Sequence, residues 1–365
     1  MRYVFLVTLF FALNQGMAQM PETNISGVYE TMLATTTPQY EIRYFAEFGF
    51  RIIDSAALTA EQAYLIYGVR SALKAYRLQN GDIDSHGLLR LLVWEKPLGN
   101  GIGYSAPETI GRRISVMHCR DIMRLTDVFK QEKSNGKRLF ITEPTFDVIY
   151  KSSKTENPDF FNRQVGVREN GVYGEYFAHV FFQRYGYDIP GYGTINPKAP
   201  LSTSEFTHHS FIVKGDSNAI KYYTRALGLK QENAVVLDGD WQKGPKAVFN
   251  MADGYAHLYV GFVSPNNICG KLKFFFPQQP VPDHSEHQKI GELGITLHSF
   301  YSNKIEMVYD LVRKEGIKPT LIQKNEFNER SFVFTGPDGV SWQIIEKMET
   351  KNKPKTVFEM VRMGN

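Results

Sequence analysis

FTHHSFIVKGDSNAIKYYTRALGL, residues 206–229, reads as one strand, one polar turn and one helix. The run from Phe206 to Lys214 holds the aromatic and β-branched side chains that suit a pleated, half-buried strand. Gly215-Asp216-Ser217-Asn218 supplies turn residues whose side-chain oxygens can cap the first amides of a helix. The amphipathic run that follows predicts a helix, stopped by Gly228, which takes a left-handed conformation without steric cost. His209 lies near the mouth of the strand.

The same unit recurs along the chain. Counting back nineteen residues from Gly228 gives His209, and the same count from Gly49 gives Glu30. Tyr44, Phe48, Gly49 and Phe50 match Tyr223, Leu227, Gly228 and Leu229 at an offset of 179 residues. A second pair of helices ends at Gly136 and Gly316, with His118 and His298 at one distance before them and an offset of 180. Two independent matches at nearly one period argue for duplication of a half-chain unit.

Each helix is followed by strand-like runs punctuated by turn residues. Asp253-Gly254, expected to follow a strand at 247–250, Asn170-Gly171 and Pro337-Asp338-Gly339 are all read as hairpin turns. The repeating module is thus strand, helix, then about three strands, and the fold class is α+β. Paired consecutively, the modules make two tandem domains, residues 26–192 and 202–348, each a cupped mixed sheet of two βαβββ units. A Gly- and Pro-rich linker at 193–201 joins them, and residues 349–365 form a polar tail. Residues 142–162 read as an irregular segment, either a solvated loop or a lid.

This duplicated arrangement resembles the vicinal oxygen chelate superfamily of glyoxalases, extradiol dioxygenases and bleomycin resistance proteins. HHSFIVKGDSNAIKYYTRALGL and the ending GPDGVSWQIIEK carry the resemblance most closely. It implies that residues from the first and last strands of the modules converge in a cup on a divalent metal, with positions left open for two substrate oxygens. Carried over residue by residue, the second domain offers His209, His298 and Gln343. His208, adjacent on the strand, would face away from that site. Gly294 competes with His298 if the helix is counted from Ser302, and Lys273 stands where a glyoxalase has glutamate. The first domain offers Glu30, His118 and Glu175, with Arg90 and Arg113 close enough in register to form ion pairs with the acids instead.

Two readings follow. In one, a divalent metal (Zn, Ni or Mn in preference to Fe) acts as a Lewis acid on a small oxygen-bearing substrate, in lyase, isomerase or dioxygenase chemistry. In the other, the protein is a metal-free binder whose pocket is lined by His257, Tyr255, Tyr259, Phe274 and Trp342. The partner in both is a small molecule, and the chain is a monomer or homodimer.

A net charge of +4, scattered rather than clustered, argues against nucleic acid. Arg2, the apolar run 3–13 and Gly16-Met17-Ala18 read as an export signal over residues 1–18. That run is too short to cross about 30 Å of hydrocarbon, so no membrane span is expected in the mature chain. The expected location is the periplasm or outside the cell. There Cys119 and Cys269 either form one bridge or stay as buried thiols.

Overall fold

The computed structural model describes residues 20–152, 163–232, 234–238, 243–264 and 269–346. The expected export signal and polar tail lie outside them. The first module contains β1 (Glu30–Ala34), β2 (Phe50–Leu58), β3 (Leu73–Asn80) and β4 (Leu88–Trp94), with helices Pro38–Glu47 and Ala60–Tyr67. The second contains β5 (Arg113–Cys119), helix Ile122–Ser134, β6 (Phe140–Ile141), β7 (Thr145–Ser152), β8 (Arg163–Tyr173) and β9 (Ala178–Tyr185). The third contains β10 (Thr203–Ile212), helix Tyr222–Arg225, β11 (Lys230–Gln231), β12 (Val235–Asp238), helix Lys243–Phe249, β13 (Ala256–Val263) and β14 (Lys271–Pro277). The fourth contains β15 (Gly294–Ser302), helix Ile305–Lys314, β16 (Gln323–Lys324), β17 (Arg330–Thr335) and β18 (Ser341–Glu346).

The α+β chain of paired modules forms two curled mixed sheets, as expected. What the structure changes is which modules pair. The eight-stranded sheet runs β16-β17-β18-β15-β1-β4-β3-β2, joining the fourth module to the first. The ten-stranded sheet runs β11-β13-β14-β10-β5-β9-β8-β6, with β12 on β13 and β7 on β8, joining the third module to the second. The seams are antiparallel: Glu30 opposes Ser299 across β1 and β15, and His208 opposes Val116 across β10 and β5. A repeat makes the leading strands equivalent, so the period alone cannot say which two share a seam. Side chains contributed across the seams decide it, as the Glu30 site below illustrates.

The two sheets pack back to back. One core joins Phe211, Phe274 and Phe262 of the ten-stranded sheet to Phe300, Trp342 and Ile344 of the eight-stranded one. A second joins Phe45, Phe50 and Leu89 of the first module to Met117, Phe129 and Phe181 of the second. Strand β10 is therefore buried along its whole length, having one face in this core and the other in its own cup.

Local departures have local causes. The helix expected after Gly215 is a 3-10 turn, Ser217–Ile220, and one α-turn, Tyr222–Arg225. Adjacent Tyr222 and Tyr223 are both buried, and their hydroxyls donate to Asp338 at 3.3 and 2.9 Å. Residues 247–249 end a helix rather than form a strand, with Pro245 in its first turn where the missing N–H costs nothing. Asn170-Gly171 is not a turn, because β8 continues through it and the chain reverses over residues 174–177. The segment from 142 is not irregular throughout, since β7 pairs with β8, while residues 153–162 lie outside the described set. Cys119 and Cys269 are both buried and are not bridged to each other.

Candidate functional site

The cup of the eight-stranded sheet is filled. Glu30, wholly buried, accepts from Arg77 Nε at 2.6 Å, from Ser299 Oγ at 3.0 Å and from the Arg90 guanidinium. Arg90 NH1 also reaches Glu326 at 2.9 Å and Gln343 Oε1 at 2.8 Å, while Tyr67 donates to Glu326 at 2.6 Å. Burial works against ionisation of Glu30, but Arg77 and Arg90 hold its carboxyl below the usual range. Helix Ala60–Tyr67 closes this cup, with Ala63, Ile66 and Tyr67 packed on Met32, Leu92, Trp94 and Val333. Glu30 and Gln343 thus do come together, but through Arg90.

The expected ligands are otherwise dispersed. His209 and His298 meet with ring centres 5.1 Å apart, yet they lie between the sheets rather than in a cup. His209 Nε2 is hydrogen-bonded with Thr31 Oγ1 at 2.5 Å, and burial holds its ring near the neutral form, at about 3. Both nitrogens of His298 lack a partner among the described residues, and burial likewise pushes its pKa down. The misreading of β10 has a cause. The count back from Gly228 assumes one regular helix, but the interval holds the 3-10 turn Ser217–Ile220 and the single α-turn Tyr222–Arg225 instead. In β15 it is Ser299, not His298, that opposes Glu30 and faces the cup. Gly294, the competing position, starts that strand at φ 93°.

His118 donates from Nδ1 to the Gly193 carbonyl at 2.8 Å and stacks on Phe182. Glu175 is exposed in the β8–β9 turn, so it is not a strand residue at all. Trp342 and Phe274 belong to the core between the sheets, and the Trp342 Nε1–H donates to Tyr223 at 2.8 Å. His257 is buried with Nε2 2.7 Å from Glu108, and Tyr255 and Tyr259 pack on the apolar cluster of the ten-stranded cup. Among the described residues no three His, Cys, Asp or Glu side chains gather to hold a metal ion. The residues present therefore do not fit the family's metal: Arg90 stands in the first cup, and no set of donors replaces it in the second.

The ten-stranded cup is open. It encloses about 370 Å³, within the range of roughly 300–1,000 Å³ typical of small-molecule sites. Val116, Val167, Val180, Val248, Phe249 and Phe275 supply its apolar walls. Its polar groups are His208 and Ser210 from β10, Lys273 from β14, Glu169 from β8 and Asp147 from β7. At the mouth, β7 meets helix Lys243–Phe249, where the Gly244 N–H donates to Asp147 at 2.5 Å. A Cβ on Gly244 would stand 2.4 Å from the Glu169 carboxylate and 2.6 Å from that of Asp147, so both side chains would have to swing aside to admit it.

Lys273 sits on the cup floor, paired in register with Ser210 on one side and Gly261 on the other. The Glu232 carboxylate folds over Gly261 and accepts from Tyr259 at 3.2 Å. Burial lowers the Lys273 pKa, opposed by Glu169 and Glu232, and burial raises that of Glu169, opposed by Lys273. His208 is stacked on Tyr192 and hydrogen-bonded to its hydroxyl, and burial with Lys273 nearby keeps the ring neutral. Lys273 was legible as a break in an otherwise apolar strand, KLKFFF. Glu169 and Asp147 were not, because the turn assigned to Asn170 and the loop assigned to residue 142 onward hid their strands.

Residues 205–344 match the sequence model of the Glyoxalase/Bleomycin resistance protein/Dioxygenase superfamily. No curated protein matches the chain in sequence. Among solved structures, glyoxalase I from Zea mays is similar at TM-score 0.51 and 14% identity, covering 88% of this chain and 92% of that one. A putative dioxygenase from Bacillus subtilis is similar at TM-score 0.53 and 11% identity, covering 89% and 86%. At such identities the likeness is one of fold.

Proposed function

We propose that this chain, which belongs to the vicinal oxygen chelate superfamily, binds a small and largely apolar molecule in the cup of its ten-stranded sheet, without a resident metal ion. The observation that carries the reading is the contrast between the cups. One is closed by a helix and an Arg90-centred ion network; the other is an open cavity with apolar walls and four ionisable side chains on its floor and rim. Burying apolar ligand surface there contributes about 25 cal/mol per Å², and the polar groups set orientation. Of the expected pocket residues, Tyr255 and Tyr259 flank this cup.

The reading is tested by thermal shift with a series of small aromatic and aliphatic compounds, on the protein and on a Val180→Trp variant that fills the cavity. Stabilisation of the parent alone supports it. Equal stabilisation of both would place the ligand elsewhere and sink the reading. Export is part of the same proposal, and the amino terminus of protein recovered outside the cytoplasm should then begin after Ala18.

A further inference from the structure

We propose that Lys273 is a reactive amine that captures a small apolar aldehyde or ketone as a reversible imine, an inference that rests on the ten-stranded cup being the ligand site. Lys273 projects from the middle of the floor into the cavity, between Ser210 and Gly261. Among the described residues it has no ion pair, although Glu169 and Glu232 are near enough to act on its charge. An amine whose neighbours stop short of a salt bridge, set among Val116, Val180 and Phe275, gains little from being charged.

The surroundings also select the ligand's charge. Asp147, Glu169 and Glu232 oppose an anionic ligand, Lys273 and Lys271 oppose a cationic one, and the neutral His208 favours neither. A neutral carbonyl compound meets no such penalty. The step balances without an oxidant or reductant. The Lys273 Nζ lone pair attacks the carbonyl carbon, and the oxygen takes a proton to give a carbinolamine. Loss of the nitrogen proton and departure of the hydroxyl as water leave a C=N bond, and hydrolysis reverses each step. Glu169 is placed to donate and retake the proton, since burial favours its protonated form. Desolvated lysines used this way are a general solution to making an amine nucleophilic near neutral pH.

The test uses benzaldehyde with cyanoborohydride, which reduces an imine to a stable benzylamine, and maps the adducts by mass spectrometry. Lys273 should be labelled at least severalfold faster than the exposed Lys74, because its place among apolar walls in the cavity leaves more of its amine uncharged. Benzyl alcohol, which fills the cup but cannot form an imine, should slow labelling at Lys273 alone. A Lys273→Arg variant should lose that adduct while benzyl alcohol still raises its melting temperature, showing that the fold and cavity survive. If benzyl alcohol stabilises the protein but Lys273 is labelled no faster than Lys74, the imine is overturned and the cup reading stands. Benzoate binding tighter than benzyl alcohol, with no preferred labelling, would make Lys273 an anion anchor and also overturn it. If none of these compounds binds, both readings fail.

Discussion

Arg90 of β4 binds the carboxylate of Glu30 of β1 with both side chains wholly buried, at the seam where the first and fourth modules join. Removing one partner of such a pair leaves a buried charge, at a cost of about 3–5 kcal/mol. Arg90→Ala should lower stability by that amount in denaturant unfolding. Arg90→Met with both Glu30→Gln and Glu326→Gln should recover most of it, because both buried carboxylates that the arginine paired are then neutral and Arg77 keeps Glu329 at 2.8 Å. If the single substitution costs under about 1 kcal/mol, the network is not buried as described.

Acid should destabilise the protein through its buried histidines. His179 and His209 are held at about 3 by burial, well below the ordinary histidine value. The unfolded chain takes up protons below about pH 6.5, while these rings in the folded state do not. Their stabilisation is therefore full above pH 6.5 and is lost as pH falls toward 3, by about 1.4 kcal/mol per pH unit for each ring. His179, packed among Tyr44, Phe48 and Phe177, should tolerate phenylalanine, so unfolding of His179→Phe measured from pH 7 to 4 should show a shallower slope. An unchanged slope would mean that this ring is protonated in the fold.

Gly87 joins the two sheets and leaves no room for a side chain. Its φ is 68°, and a Cβ would stand 2.3 Å from the Phe206 carbonyl oxygen, a backbone atom that cannot swing aside. Gly87→Ala should cost about 1–3 kcal/mol from conformation and contact together, read as a lowered melting temperature in calorimetry. A neutral substitution would show that the sheets can part at this point.

Chelators should leave the melting temperature unchanged, and metal analysis should find no stoichiometric divalent ion. The basis is the donor set: Arg90 stands between Glu30 and Gln343, and His209 and His298 face away from both cups. A fall in melting temperature with EDTA, reversed by one metal, would overturn that assignment.

By itself the sequence determined the module, its fourfold recurrence and the superfamily fold. Those depend on local pattern: strand and turn chemistry, a glycine that ends each helix, and hydrophobic period. It also pointed to the ion-pair alternative at Arg90, since an arginine on a strand as apolar as LLRLLVW needs a buried acid. Tertiary structure alone decided which modules share a sheet, because duplicated leading strands are interchangeable until side chains from distant modules meet. It also decided which face of β10 meets the cavity. Alternation makes His208 and His209 face opposite ways, and the spacing back from Gly228 crosses an irregular turn and one-turn helix, so only the folded chain shows His208 in the cup and His209 in the core.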